Sequence, residues 1–274
     1  MTTVLIDGAD DPRLQPYRSV RERDLAGRDG LYMAEGRVVL EKAIIADRGA
    51  VVSVLIAPRR AGALADLLAR LPAATPVYVT DQAAMDQVVG FPIHRGVLAL
   101  VRRPERDARA LIAQLPARAL VVGLVGIANH DNMGGVFRNA AAFGAACVLI
   151  DDSCCDPLYR KAIRVSVGAA LTLPFARAGA AGDMVSLLQE AGFDVCALSP
   201  GGETALAGFT PAPRTAVLFG AEGPGLPADL LDRSRTVRID MAGGFDSLNV
   251  ATTSGIVLHH LSPRWPAWRE GSVA

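Results

Sequence analysis

An asparagine and an arginine lie six residues apart in the segment IANHDNMGGVFRNAAAFGA, which starts at residue 127. Asn132, Gly134 and Gly135 are expected to open a helix, with Arg138 on or near its first turn. A helix start offers unpaired backbone N–H groups and the positive end of the helix dipole, and an arginine beside it adds a cation. The segment predicts an anion-binding corner, although a capped amphipathic helix with a surface arginine fits it equally well.

A second segment, LFGAEGPGLP, contains three glycines and two prolines around one carboxylate. Gly220, Gly223 and Gly225 would let the backbone approach a ligand closely, and Glu222 is the only charged group among them. The signal is weak by itself, because a left-handed turn at a strand end has the same composition. The chain contains neither the G-x-G-x-x-G pattern of dinucleotide-binding folds nor the G-x-x-x-x-G-K-[ST] phosphate loop, so both classes have little support.

The third segment, FDSLNVATTSGIVLHHL, has more polar residues at its start than one helix cap requires. A helix is expected from about Ser247, with Asp246 or Ser247 as its cap, and this leaves Asn249 without a structural task. Leu248 and Val250 would anchor the turn in the core. The small residues at 251–255 indicate close packing against another backbone, a ligand or a second subunit. The segment lacks the G-x-S-x-G elbow of hydrolases.

Metal and thiol chemistry have little support. The four cysteines show no C-x-x-C spacing, and they are interpreted as reduced structural thiols: Cys147, Cys154, Cys155 and Cys196. His259 and His260 are adjacent on an expected helix and so point apart. We expect no metal site.

Short β-rich runs alternate with helical segments along the whole chain, which predicts an α/β fold with a parallel sheet covered by helices. The charged segment RRPERDARALIAQLPAR, at residues 102–118 with prolines at 104 and 116, separates two such series. The expected organisation is a smaller α/β domain at 1–103, a linker at 104–118 and a second α/β domain at 119–274. The three polar segments each follow an expected strand of the second domain, where ligands bind in open sheets.

Composition is that of a globular protein, with 51% hydrophobic and 20% charged residues and no apolar run of membrane-spanning length. The N-terminus has no secretion signal, so a cytoplasmic location is expected. Nearly all positive charge is arginine, which suits phosphate contacts. Candidates for tracking a nucleic-acid backbone are Arg18, Arg21, Arg23, Arg59, Arg60, Arg102 and Arg103.

Taken in order, the three segments resemble the motifs of the SpoU (TrmH-like) branch of the SPOUT RNA methyltransferases. The first matches N-x-G-x-x-x-R, the second G-x-E-x-x-G-L and the third S-L-N-V. The segment RKAIRVSVGAALTLPF is similar to a further family pattern through Ser166, Gly168 and Pro174. The first domain is similar to the substrate-binding domain that many members carry.

The resemblance implies a fold, a reaction and partners. Family members transfer the methyl group of S-adenosylmethionine to a ribose 2′-hydroxyl of ribosomal or transfer RNA. Their catalytic domain contains a C-terminal trefoil knot, and they act as homodimers. The first domain favours ribosomal RNA as the substrate, with transfer RNA as an alternative.

The same resemblance assigns residues by position. Arg138 is the candidate catalytic arginine, with Asn132 holding the first loop and the substrate. The implied catalytic set is Arg138, Asn132, Ser247, Asn249 and Glu222. The implied cofactor-binding set is Gly220, Glu222, Gly225, Leu226, Ile239, Met241, Ser247, Leu248 and Asn249.

Two departures from the family pattern concern the pocket. Asp240 stands where the family usually has proline, and it adds a carboxylate near a cationic sulfonium. Ala251, Thr252 and Thr253 replace the usual Ser-x-Ala. A guanidinium is essentially always protonated, so Arg138 is expected to clamp a phosphate and stabilise negative charge on oxygen, rather than act as a base.

Two other functions stay open. One is a non-catalytic RNA-binding protein on the same scaffold, and the intact asparagine and arginine pattern argues against it. The other is methylation of a base, as in other SPOUT branches, whereas the S-L-N-V motif favours ribose.

Overall fold

The computed structural model describes residues 2–18, 30–90, 92–93, 95–243 and 247–262. Contacts divide the chain into two compact units. The first unit is Met1–Pro104 together with Leu158–Thr172, and the second is Glu105–Pro157 together with Leu173–Ala274. The sequence-based boundaries assign Leu158–Thr172 to the second domain, and they stay a prediction.

The secondary structure of the described residues alternates as the sequence indicates. The strands are β1 (Thr2–Leu5), β2 (Leu31–Glu35), β3 (Val51–Ile56), β4 (Pro76–Val79), β5 (Val97–Arg102), β6 (Ala119–Leu124), β7 (Cys147–Ile150), β8 (Phe175–Arg177), β9 (Asp194–Leu198), β10 (Thr204–Ala205), β11 (Arg214–Phe219) and β12 (Arg235–Arg238). The α-helices are α1 (Arg37–Asp47), α2 (Ala61–Leu68), α3 (Gln82–Val89), α4 (Ala108–Ala113), α5 (His130–Ala142), α6 (Arg160–Val165), α7 (Ala169–Thr172), α8 (Ala181–Glu190), α9 (Ala228–Asp232) and α10 (Val250–Leu261).

The sheet of the first unit is mixed, with the strand order β1-β4-β3-β5-β2. β1, β4 and β3 run parallel, whereas β5 pairs antiparallel with both β3 and β2. The alternation of strands and helices predicts a parallel sheet in this part of the chain as well. The direction of β5 corrects that interpretation.

The loop between α3 and β5 explains the reversal. Asp86 Oδ1 accepts a hydrogen bond from the backbone N–H of Ile93 (2.8 Å), and Gln82 Nε2 donates to the carbonyl of Ile93 (2.9 Å). These bonds hold the loop alongside α3, so β5 begins next to the end of β3, where Ala57 N–H donates to Gly96 O. Hydrophobic pattern does not encode strand direction, so the sequence could not show this.

The sheet of the second unit has the order β10-β12-β9-β11-β6-β7-β8, and all its pairs are parallel. β6 and β7 are buried along their whole length, as expected for strands covered on both faces. This confirms the α/β class with a parallel sheet. The trefoil knot stays a prediction.

Helix α5 is anchored on this sheet by an aromatic pair. Phe137 is fully buried, and its ring lies edge-on to that of Phe175, with centroids 5.6 Å apart. Edge-to-face rings of this kind add about 1 kcal/mol beyond the burial of their area. Because Phe137 points into the core, the next residue along α5, Arg138, points toward solvent.

The strand order places three loops at one edge of the second sheet. After β6 the chain fills β7 and β8 on one side, then crosses to β9, and β11 is inserted between β9 and β6. Ligands of open α/β sheets bind at the carboxyl ends of strands where the order reverses in this way. The loops after β6, β11 and β12 all leave from this edge.

Among the described residues, none of the helices combines the length and the apolar character needed to cross a membrane.

Candidate functional site

The side-chain amide of Asn249 joins the three loops. Its Oδ1 accepts hydrogen bonds from the backbone N–H groups of Ala251 (2.9 Å) and Thr252 (3.2 Å), so Asn249 caps α10. Its Nδ2 donates to Asn132 Oδ1 (2.8 Å) and to Glu222 Oε1 (2.9 Å). Candidate site residues from three separate segments therefore lie within hydrogen-bonding distance of one another.

The cap of α10 differs from the one expected. The helix begins at Val250 with Asn249 as its cap, rather than at about Ser247 with Ser247 or Asp246. Asp246 lies outside the described residues, and Ser247 is exposed. Asn249 is the cap because Glu222 and Asn132 hold its Nδ2, which leaves its Oδ1 directed at the helix start.

The residues beside this cap point in different directions. Val250 is 7% exposed and anchors the turn in the core, as expected. Leu248 was expected to do the same, but 43% of it is exposed. The cap residue between them has non-helical backbone angles, with φ −51° and ψ 137°. The apolar surface of Leu248 is therefore accessible to a ligand.

Helix α5 begins earlier than the sequence indicates. It starts at His130, and Asn129 Oδ1 caps it by accepting from the N–H groups of Asp131 (2.7 Å) and Asn132 (3.4 Å). Arg138 lies eight residues after the first helical residue, about 12 Å along the axis. The expected corner, with Arg138 beside the N–H groups of a helix start, is not formed.

The two glycines that suggested a helix start lie inside α5, and packing explains one of them. A Cβ atom added at Gly135 would lie 2.6 Å from Ala251 Cβ. A glycine inside a helix costs about 1 kcal/mol relative to alanine, and here it permits α10 to pack against α5. The small residues at 251–255 therefore serve a helix crossing within the second unit.

Arg138 and Asn132 keep polar groups available. Arg138 is exposed, and it forms no hydrogen bond or ion pair with the part of the chain that the structure describes. Asn132 is 6% exposed, and its Oδ1 accepts from Asn249. The Nδ2 of Asn132 has no partner among the described residues, and it is not sealed from solvent. Both side chains can therefore still donate hydrogen bonds to a ligand.

The loop after β11 is a tight turn that requires glycine. A Cβ atom at Gly220 would lie 2.4 Å from the backbone carbon of Gly225 and 2.5 Å from the nitrogen of Leu226. The φ angles of Gly223 and Gly225 are +87° and +70°, which favour glycine. Leu226 was expected to bind the cofactor, and its side chain lies in the hydrophobic core, where it ties down the end of the loop.

The loop after β6 is held by residues that the sequence analysis did not single out. Asp151 is buried, and its Oδ1 accepts from the N–H groups of Gly126 (3.1 Å) and Cys154 (3.0 Å). Cys155 N–H donates to the carbonyl of Ile127 (2.8 Å). The signal available in the sequence was an acidic residue directly after a short, fully apolar strand.

The loop after β12 places its candidates at the surface. Ile239 and Met241 are half-buried, and Asp240 is exposed. Asp240 Oδ1 accepts from Arg238 Nε (2.9 Å), and Arg238 also donates to the carbonyls of Gly202 and Glu203. The unexpected carboxylate therefore has a structural partner, which braces the loop before β10.

The cysteines have the environment of structural thiols. Burial raises the pKa of Cys147, Cys154 and Cys196 to about 12, and that of Cys155 to about 11. A nucleophilic cysteine needs a lowered pKa, so these thiols stay protonated near neutral pH.

The chain is similar to known proteins in sequence and in fold. Residues 119–259 match the model of the SpoU rRNA Methylase family. Over 272 aligned residues the chain is 39% identical to an uncharacterised tRNA/rRNA methyltransferase of Mycobacterium bovis, covering 93% of this chain and 92% of the relative.

Solved structures share the fold. An AdoMet-bound rRNA methyltransferase from Sinorhizobium meliloti superposes with a TM-score of 0.81 at 21% identity, covering 94% of this chain and 97% of its own. A structure described as an RNA 2′-O ribose methyltransferase superposes with a TM-score of 0.76 at 24% identity, covering 95% and 99%.

Gly220→Ala tests the close approach of Gly220 to the backbone of Gly225 in the loop after β11. The new Cβ would overlap the backbone at Gly225, and overpacking of this kind costs about 1–3 kcal/mol. We expect urea denaturation to show a loss of that size. Gly208→Ala is the matched control, because a Cβ atom there meets nothing within 4 Å. Equal stability of the two variants would contradict this close approach.

Exchanging donor and acceptor tests the Asn249 network. Asn249→Asp keeps the helix cap but sets a carboxylate against Glu222, so we expect a melting temperature below that of the wild type. Adding Glu222→Gln restores a donor opposite Asp, and the double variant is expected to regain most of the loss. If Glu222→Gln leaves the melting temperature unchanged both in the wild type and in the Asn249→Asp variant, the two side chains are not coupled.

Proposed function

The chain belongs to the SpoU rRNA Methylase family, and from that premise we propose that it transfers a methyl group from S-adenosylmethionine to a ribose 2′-hydroxyl of RNA. The observation that carries the proposal is the contact of Asn249 with Asn132 and Glu222, which joins the three family motifs at the carboxyl edge of the sheet. A structural neighbour described as an RNA 2′-O ribose methyltransferase supports the choice of ribose.

The residues of the second and third loops suit the cofactor. S-adenosylmethionine supplies an activated methyl group on a positively charged sulfonium. Gly223 and Gly225 have open space where side chains would be, so a ligand can approach their backbone. The carboxylate of Glu222 complements positive charge, and the exposed part of Leu248 offers an apolar contact. The AdoMet-bound structural neighbour supports this assignment.

The remaining candidates of the pocket are assigned by position. Gly220 lets the loop close, and Leu226 anchors it in the core. Ile239, Met241 and Ser247 would line the pocket from the third loop. Asn249 would hold the three segments in place, because both its Nδ2 and its Oδ1 are already hydrogen-bonded within the protein.

Arg138 would bind the substrate. Its guanidinium has no partner among the described residues, so it can clamp an RNA phosphate and stabilise negative charge that develops on the ribose oxygen. Asn132 Nδ2 supplies a second donor beside the pocket. Together these groups would orient the 2′-hydroxyl for in-line attack on the methyl group, and positioning contributes much of the rate. The bond between the methyl group and sulfur would break as the bond to the ribose oxygen forms, and the hydroxyl proton would pass to water.

The proposed substrate is ribosomal RNA, with transfer RNA as the alternative. The relative in Mycobacterium bovis is described as a tRNA/rRNA methyltransferase, and the structural neighbour as an rRNA methyltransferase. The first domain, at 1–103, would bind the RNA through exposed arginines such as Arg59. Arg21 and Arg23 lie outside the described residues.

Resemblance to the family also supports a homodimer with a C-terminal trefoil knot. Sedimentation equilibrium on the full chain is expected to give twice the mass of one chain.

Product analysis tests the reaction. The protein is incubated with methyl-labelled S-adenosylmethionine and total RNA, which is then digested to nucleosides. We expect the label in a 2′-O-methylnucleoside. Label in a methylated base would favour the base-methylating alternative, and no label would favour a non-catalytic RNA-binding protein.

Arg138→Ala tests the substrate clamp. We expect methyl transfer to fall by about 100-fold or more, because one transition-state donor typically contributes that much. The dissociation constant of S-adenosylmethionine, measured by calorimetry, should change less than about threefold. Arg109→Ala is the control, because Arg109 is an exposed arginine of the same unit, paired with Glu190 at 3.1 Å. Collapse of cofactor affinity in Arg138→Ala would contradict the role.

A further inference from the structure

One strip of α5 faces α10. Asn132, Gly135 and Asn139 follow each other at intervals of three and four residues, which places them on the same side of the helix. Each of them contacts the segment that starts with Asn249: Asn132 accepts from Asn249, Gly135 lies against Ala251, and Asn139 contacts Ala251 and Ser254. Asn139 lies in the first polar segment, but it belongs to neither the implied catalytic set nor the implied cofactor-binding set.

The side-chain Nδ2 of Asn139 donates two hydrogen bonds. Nδ2 donates to the carbonyl of Ala251 (2.7 Å) and to Oγ of Ser254 (2.9 Å). Ser254 is fully buried, and its Oγ also donates to the carbonyl of Ala251 (2.8 Å). A Cβ atom at Gly255 would lie 3.3 Å from Nδ2, so the amide occupies space that glycine leaves.

These bonds restrict rotation of α5 about its own axis. The contact of Gly135 with Ala251 is van der Waals packing, which has no preferred direction. The bonds made by Asn132 and Asn139 are directional, and they lie about 10 Å apart along the helix. Two directional attachments at this separation fix both the height and the rotation of α5 against α10.

Rotation of α5 decides where Arg138 lies. Arg138 is next to Asn139 in the chain, is exposed, and has no hydrogen-bonding partner among the described residues. A rotation of about 10° moves a group about 6 Å from the axis by about 1 Å. A misplacement of about 1 Å can reduce a rate about 100-fold.

We propose that Asn139 is a positioning residue for methyl transfer: it locks the rotation of α5 against α10 and so sets the direction in which Arg138 leaves the helix relative to Asn249. The inference rests on the proposed function. Asn139 itself contacts neither cofactor nor RNA, so its loss acts on the chemical step through Arg138.

The first test replaces Asn139 by leucine, which is close in size but cannot donate. We expect the single-turnover rate constant, at saturating S-adenosylmethionine and RNA, to fall by about 10-fold to 100-fold. The dissociation constant of S-adenosylmethionine should stay within about threefold of the wild type. An unchanged rate, or a loss confined to cofactor affinity, would overturn the proposal.

Gln189→Leu is the matched control. Gln189 Nε2 donates to the carbonyl of Arg233 (2.8 Å), so this amide also joins two elements of the second unit, away from the three loops. We expect the wild-type rate from this variant. If both variants lose the same rate, the effect of Asn139 is general destabilisation and the proposal fails.

Ser254→Ala gives an independent reading where Asn139→Leu is unstable at the assay temperature. It removes one of the two acceptors and keeps the carbonyl of Ala251, so we expect an intermediate rate. A wild-type rate in a folded Ser254→Ala variant, combined with an unstable Asn139→Leu, would count against the proposal.

A double-mutant cycle tests whether Asn139 acts through Arg138. In the Arg138→Lys background, Asn139→Leu is expected to change the rate less than about threefold, because the group to be positioned has already been altered. Equal effects in both backgrounds would overturn the mechanism. Failure of the wild type to form a 2′-O-methylnucleoside would contradict the proposed function, whereas normal product with an unchanged Asn139→Leu rate contradicts only this inference.

Discussion

The side-chain amide of Asn249 has two N–H donors and one oxygen, and the fold uses all of them. The oxygen caps α10, and the two donors bind Asn132 and Glu222. A rotated amide would set oxygen against oxygen at both partners and leave the helix uncapped, so only one orientation satisfies every group. Residues from three segments that are distant in sequence are therefore held in one arrangement by a neutral side chain.

The elements that carry this contact are themselves held in place by buried and hydrogen-bonded residues. Asp151 ties the loop after β6 to the end of β7, and Leu226 ties the loop after β11 to the core. Phe137 seats α5 on the sheet, while Asn139 seats it on α10. Arg138 and the Nδ2 of Asn132 have no hydrogen-bonding partner within the part of the chain that the structure describes, and they are groups that a substrate would need.

Local signals in the sequence were sufficient for five strands of the second sheet, and its strands β6 and β7, which are buried along their whole length, are continuous apolar runs. The short strands β8 and β10, of three and two residues, were not predicted. The three polar segments could also be recognised, since each follows a strand that the sequence predicts. The cap of α10 was not predictable, because Asn249 is selected over Ser247 by Glu222, which is distant in the chain. The start of α5 was misplaced because Gly134 and Gly135 resemble a helix boundary unless the packing of Ala251 is known. The direction of β5 depended in the same way on Asp86 and Gln82, whose bonds to Ile93 have no signature in the hydrophobic pattern.

The contact of Gly135 with Ala251 has a consequence for how sequences of this fold can diverge. The two positions share space for a single methyl group, which residue 251 now fills. A methyl group can move to position 135 only in a chain that has already lost it at 251. A mutational path between the two arrangements therefore passes through a double glycine, at a cost of about 1 kcal/mol in helix propensity for the added glycine. Evolution can cross that intermediate only in a protein with stability to spare.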